Sequence, residues 1–419
     1  MGDARDPDEF FDLAEKIIQN INTVFEKDGS LDEFDIVPVE SQSNRSPVIH
    51  VNHKLALESW CVPFLYSHSF KCFTQLLPNR KVSAGNHKNQ HRNGSTSVRN
   101  GSIGSHEGHT FVNSRLTEGD RTERKLNLSR ILILLNPDLT LAWNYRREAF
   151  IQCCMQFQHE LHLVSLVASR KPKSSEVFMY RKWLVKHILN EDLKGDNIEQ
   201  IFTREMQAAG KAAEAYFSNY HAWDYRRWLL ETFLGGSFCP DEFKLTILNS
   251  EKNCSDNWVE RHISDHSGFH YRQKLLSQMS LLECNVNGVF QLFTKELENN
   301  LSLVMRFPGH EALWYHRRFL LQFLVPKLQM ELTENLNNHH QPMETNWECE
   351  VWQCCEDKIQ YLKKKEEDLV KSILTVNASL VDDASVNFIT KDSSNLSILY
   401  SQKHAKWLFM MFEWIIDNN

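Results

Sequence analysis

Phe10, Phe11, Leu13, Ile17, Ile18 and Ile21 recur at three- and four-residue spacing and predict an amphipathic helix over 8–26. A second apolar, aromatic stretch covers about 55–77, the place of a degenerate first repeat within an N-terminal helical region, 1–78. The alternation of apolar and polar positions is then lost. Residues 79–122 are dominated by Asn, Gly, Ser, His and Arg, and such a segment buries too little apolar surface to offset its ordering entropy. It is expected to be a disordered, low-complexity insert. Helical periodicity returns over 123–330, for example in 197–217 and 289–307, with Pro240 at a plausible first helical turn. Residues 331–357 look like a polar loop insertion, and 358–419 like a closing helical unit.

Within 123–330 one pattern returns five times: NPDLTLAWNYRRE (136–148), KSSEVFMYRKWLV (173–185), SNYHAWDYRRWLL (218–230), SDHSGFHYRQKLL (264–276) and PGHEALWYHRRFLL (308–321). Each copy has an aromatic, any residue, Tyr or His, Arg, then Arg, Lys or Gln. The aromatics Trp143, Phe178, Trp223, Phe269 and Trp314 are 35, 45, 46 and 45 residues apart. That period holds two helices and their turns, the unit of an α-solenoid. The expected fold is therefore all-α, a superhelix of tandem helical hairpins.

Trp223, Arg226, Arg227 and Leu230 lie at i, i+3, i+4 and i+7 and share one helical face. Arginines there can lay their planes on aromatic rings, at roughly 0.5–2 kcal/mol each, or direct their donor forks at carboxylates and carbonyl ends of the adjacent repeat. A structural role follows for Arg146, Arg147, Arg181, Arg226, Arg227, Arg272, Arg317 and Arg318, beside Trp143, Trp223 and Trp314. The residues just before each aromatic form the turn and first helical turn, where backbone N–H groups and the dipole favour an anion. Serine or asparagine can cap the helix there. Lys173, five residues before its aromatic, has no evident packing use, and Asn219-Tyr220-His221 adds donors at the corresponding turn of the third repeat.

A formal charge of −7 argues against a general nucleic-acid binder. No run approaches the roughly 18 apolar residues of a membrane span, and the acidic start carries no secretory core. The ten cysteines form no disulfide framework and are expected to be reduced thiols of a cytoplasmic protein. Gly2 reads as ordinary, because Asp6 stands where myristoylation wants Ser or Thr. Cys349, Cys354 and Cys355 cluster with His339 and His340 but lack zinc-site spacing, so no metal is expected in this chain. No phosphate loop or nucleophile elbow is visible.

The repeats LNPDLTLAWNYRR and SNYHAWDYRRW resemble those of the protein prenyltransferase α subunits, whose pattern is Asn-Pro or Lys-Asn-Tyr, two residues, Trp, one residue, then Tyr- or His-Arg-Arg. The likeness covers about Arg124 to Leu324. It implies a crescent of helical hairpins around a β subunit that carries the catalytic zinc, with or without magnesium, and the lipid tunnel. It implies an isoprenoid diphosphate held at the interface. Lys173 and His221 would be the catalytic contributors, with Tyr220, Ser175 and Asn219 at the diphosphate. The family departs here at Ser175, where a tyrosine is usual, and at Phe178, Phe269 and Gln273. The implied activity is transfer of an isoprenoid, geranylgeranyl before farnesyl, to C-terminal cysteines of client proteins, by a heterodimer inactive without its β partner. The alternative is a non-catalytic α-solenoid that scaffolds or regulates such a β subunit.

Overall fold

The computed structural model describes residues 7–40, 46–78, 117–190, 196–236, 241–283, 285–307, 309–337, 346–382 and 388–417. Most of these are helical, and the fold is all-α as expected. The chain divides into two compact units, Met1–Ile198 and Glu199–Asn419.

The first unit opens with α1 (Pro7–Lys27), which buries Ala14, Ile17, Ile18 and Ile21 on one stripe. A small sheet follows: β1 (Glu33–Val37), β2 (Val48–Val51) and β3 (Lys54–Glu58) in the order β1-β3-β2, with β1 parallel and β2 antiparallel to β3. The β2–β3 hairpin turns on Asn52 and His53, both with positive φ (49° and 62°), as a two-residue hairpin requires. The expectation of helices alone across 1–78 is therefore corrected. The stretch 55–77 begins as a strand and becomes helical only through a 3₁₀ turn into α2 (Val62–Leu76). Pro63 stands in the first turn of that helix, where its missing N–H costs nothing.

Of the expected insert, 79–116 lies outside the described residues. Residues 118–122 already belong to α3 (Glu118–Leu135), whose start is fixed by reciprocal bonds between Thr117 and Asp120. Two hairpins complete the first unit: α3 with α4 (Thr140–Ile151), and α5 (Phe157–Arg170) with α6 (Ser175–Leu189). α3 packs on α5 and α4 on α6, so these hairpins stack in sequence.

Four hairpins make the second unit: α7 (Asp196–Ala215) with α8 (Tyr220–Gly235), α9 (Asp241–Arg261) with α10 (His266–Ser280), α11 (Val286–Arg306) with α12 (Glu311–Asn337), and α13 (Asn346–Asp382) with α14 (Phe388–Asp417). The second helices pack as a row, α8 on α10, α10 on α12 and α12 on α14. The polar stretch 331–357 is not a loop throughout. α12 runs on to Asn337 and α13 starts at Asn346, because Cys355, Ile359 and Leu362 carry one buried stripe of α13 into the core around Leu320, Leu324 and Leu328.

Candidate functional site

Within each unit, buried carboxylates tie one hairpin to the next. In the first unit, Arg146 on α4 donates from Nε and Nη2 to both oxygens of Glu160 on α5, and Tyr180 Oη on α6 donates to Glu160 Oε2 at 2.7 Å. In the second unit, Arg226 on α8 donates to both oxygens of Glu251 on α9 at 2.8 Å, and Tyr271 on α10 to the same carboxylate at 2.6 Å. Arg272 binds Glu296 on α11, which also accepts from His316 Nε2 at 2.9 Å. Arg317 binds Glu366 on α13 through two 2.7 Å bonds, and His404 on α14 meets that carboxylate at 3.0 Å. The arginine of one repeat and the Tyr or His of the next thus share one glutamate.

The same pairs of repeats share ring contacts. Trp143 lies 4.7 Å from Tyr180, Trp223 5.2 Å from Tyr271, Phe269 5.2 Å from His316, and Trp314 5.2 Å from His404 between ring centres. Remaining guanidinium donors reach back to the first helix of their own hairpin: Arg146 to Leu126 O, Arg226 to Met206 O and Arg317 to Leu297 O. Arg181 reaches Ser165 Oγ and Arg272 reaches Ser255 Oγ. Satisfied on all sides, a buried arginine becomes tolerable.

The electrostatics follow from this packing. Burial alone would raise the Glu296 carboxyl, but His316 and Arg272 outweigh it and hold it far below the ordinary range. Glu366 is likewise held low by Arg317 and His404 against its burial. Burial depresses His316 and His404, each of which leaves Nδ1 without a partner, so both rings are neutral and donate through Nε2. The second arginines behave differently. Arg147 donates to Asn144 and Arg227 to Asp224 within their own helices, while Arg318, with Tyr315 three residues back, lies 5.5 Å from that ring.

The expected ligand-facing residues lie at the starts of second helices. Lys173 is exposed in the α5–α6 turn, and Ser175 is exposed at the first position of α6. The N-cap Ser174 does not cap: its hydroxyl donates to Asp138 Oδ1 at 3.0 Å, so the first backbone N–H groups of α6 receive no side-chain cap. Glu176 in that turn opposes anion binding there. Tyr220 is 61% exposed in the first turn of α8, and His221 beside it is half-buried with its ring 5.5 Å away. Lys173 belongs to the first unit and Tyr220 and His221 to the second.

Asn219 is fully buried, its Oδ1 accepts from Ala222 N and its Nδ2 donates to Ala212 O at 2.9 Å. The amide joins α8 to α7, so Asn219 serves as a helix cap. Ser218 before it has φ 53°, and Gly309 at the same place of the fifth repeat has φ 89°. Left-handed backbone turns the chain from first helix to second in both.

Among the cysteines first considered for a metal, Cys354 is exposed and Cys355 buried, while His339, His340 and Cys349 are outside the described side chains. Another group, Glu15, His68 and Cys72, comes together instead. The sequence signal was His68-x₃-Cys72, one turn apart on a helix.

The family described as "Protein prenyltransferase alpha subunit repeat" matches residues 202–233, 248–279 and 293–324, each running from a carboxylate-bearing first helix through the Tyr/His-Arg pair of the second. The protein prenyltransferase alpha subunit repeat-containing protein 1 of Danio rerio is 30% identical over 350 residues, 73% of this chain and 71% of that one. This chain belongs to the protein prenyltransferase alpha subunit repeat family. The Homo sapiens protein of the same description is 28% identical over 360 residues, 74% of this chain and 77% of that one. The geranylgeranyl transferase type-2 subunit alpha of Homo sapiens is 28% identical over 216 residues, 48% of this chain and 34% of that one. The three matched repeats are the hairpins α7–α8, α9–α10 and α11–α12. Among the described residues no helix is long and apolar enough to cross a membrane.

Proposed function

We propose that this chain is the alpha subunit of a heterodimeric protein prenyltransferase, supporting transfer of an isoprenoid, geranylgeranyl by preference, from its diphosphate to C-terminal cysteines of client proteins. The observation that carries the reading is the likeness to geranylgeranyl transferase type-2 alpha subunits. It is supported by Lys173, the one lysine at its position among the five repeats, in front of a helix start without a side-chain cap. In the transfer, the client thiolate forms a bond to the isoprenoid C1, and the C1–O bond breaks, its electron pair leaving with the diphosphate. The partner's zinc supplies the thiolate at neutral pH. The part of this chain is at the leaving group, where negative charge grows. The Lys173 ammonium, a His221 ring donor and the Tyr220 hydroxyl stabilise that charge more in the transition state than in the ground state. Ser175 donates where a tyrosine is usual.

Co-expression with candidate β subunits, then lipid transfer to cysteine-ending proteins, tests the reading. Lys173→Ala and His221→Ala are expected to lower kcat about 10²–10³-fold each, the loss typical of one charge-stabilising donor, while the complex still forms. Unchanged turnover in an intact complex would refute the leaving-group role. That result would favour a non-catalytic scaffold of the β subunit, a reading to which Ser175 in place of tyrosine already lends weight.

A further inference from the structure

α1, α2 and α3 meet around three side chains of different donor chemistry. Glu15 on α1 and His68 and Cys72 on α2 each place one ligand atom so that all three lie within 4.8 Å of one another. His68 Nε2 is 2.6 Å from Glu15 Oε1, and Cys72 Sγ is 3.5 Å from the same ring nitrogen. The His68 side chain is only 11% exposed, and the Phe11 ring stands edge-on to it with centres 4.7 Å apart. Arg124 on α3 donates to Glu15 Oε1. Glu15, His68 and Cys72 lie on α1 and α2, outside the repeated hairpins.

We infer that Glu15, His68 and Cys72 form a binding site for a zinc-class divalent cation that clamps α1 to α2. A thiolate, an imidazole and a carboxylate are the donor set zinc takes, and the mixture of soft and hard ligands disfavours calcium and magnesium. The geometry agrees. With Zn–S about 2.3 Å and Zn–N about 2.0–2.1 Å, a tetrahedral S–N edge is about 3.5 Å, the separation already present. The His68–Glu15 pair sits at hydrogen-bond distance and must open by about 0.8 Å to reach its own tetrahedral edge, a change within a half-exposed glutamate's reach.

His68 gives up the proton it shares with Glu15, Cys72 gives up its thiol proton, and both go to solvent. Arg124 then serves as the outer hydrogen-bond partner that orients the carboxylate. Three protein ligands leave a fourth position for water.

Cobalt(II), a spectroscopic stand-in for zinc, tests this on the purified full chain after treatment with chelator. One equivalent is expected to give a thiolate-to-cobalt charge-transfer band and the visible bands of a tetrahedral ion, both removed by added zinc. Cys72→Ser should abolish the charge-transfer band, and His68→Gln should weaken binding at least about 100-fold. Arg124→Gln should weaken it about 10-fold, as loss of an outer partner does. Cys153→Ser/Cys154→Ser, which removes two exposed thiols elsewhere, should leave the spectrum unchanged. Zinc should also raise the Tm of the wild type but not of Cys72→Ser, which alters one atom and keeps the fold. Absence of the band, its survival in Cys72→Ser, or its loss in the Cys153/Cys154 variant would each overturn the site.

Discussion

Glu251 is the link whose removal is most informative, because three donors converge on it. Its two oxygens take Arg226 Nε and Nη2 and the Tyr271 hydroxyl, with Glu251 5%, Arg226 7% and Tyr271 2% exposed. Glu251→Gln keeps the volume, removes the charge and turns an amide N–H₂ toward guanidinium N–H groups. An unpaired buried charge costs about 3–5 kcal/mol. The second unit has about 220 residues, for which each kcal/mol moves Tm by about 2–4 °C, so a fall of about 6–20 °C is expected. Arg226→Met with Glu251→Leu removes both charges. It leaves the Tyr271 hydroxyl without its carboxylate, at about 1–3 kcal/mol, but no orphaned ion. The double variant should therefore melt above Glu251→Gln. Circular dichroism melts of wild type, Arg226→Met, Glu251→Leu and the double variant close the cycle. A fall below about 2 °C for Glu251→Gln, or a double variant as unstable as the two single losses added, would refute the carboxylate-link account.

Acid should loosen the second unit in two stages. His316 and His404 have depressed values in the fold, so their contribution is complete above the unfolded histidine value near 6.5 and is lost as pH falls below it. Glu296 and Glu366, also depressed, contribute above the unfolded value near 4.3 and lose that contribution as pH falls toward their low folded values. Melts from pH 8 to 4 should be flat above about 7, decline from about 6.5 and steepen below about 4.5; a Tm rising on acidification through 6 would contradict the neutral buried histidines. Asn219→Ala should lower stability by about 1–2 kcal/mol through the lost cap, read from chemical denaturation. If Asn219 acts only as a cap, the same variant leaves the KM for isoprenoid diphosphate unchanged, and a tenfold rise would restore it to the ligand site.

The repeats were legible because their second helices spell the packing out: aromatic, Tyr or His, and Arg recur at nearly fixed spacing. Their carboxylate partners were not recognised, since one glutamate on a charged helix looks like a solvated residue. The signal was nevertheless present as a glutamate 20 residues before the Tyr or His: Glu160 and Tyr180, Glu205 and Tyr225, Glu251 and Tyr271, Glu296 and His316. The sheet escaped notice because its strands are four or five residues long and its hairpin turns on Asn52-His53 with no glycine. Asn219 is ambiguous in sequence for a related reason. The residue type that caps a helix is also one that binds anions, and only burial tells the two apart.

The carboxylate links explain how a chain of this kind can vary at its turns. In α14 the run His404-Ala405-Lys406-Trp407 stands where Tyr225-Arg226-Arg227-Trp228 stands in α8. His404 closes the last link on Glu366. The position that would open another holds alanine, which asks for no carboxylate. The buried pairs therefore fix register between neighbouring hairpins, and register fixes where each second helix begins. Five residues before the repeated aromatic, the chain carries Asp138, Lys173, Ser218, Ser264 and Gly309. These share a backbone position but not a chemistry. Ser264 Oγ bonds His310 Nδ1 at 2.7 Å, joining two neighbouring turns, and Gly309 supplies a left-handed bend. A scaffold held by its interior can differentiate its turns one at a time, as these five residues do.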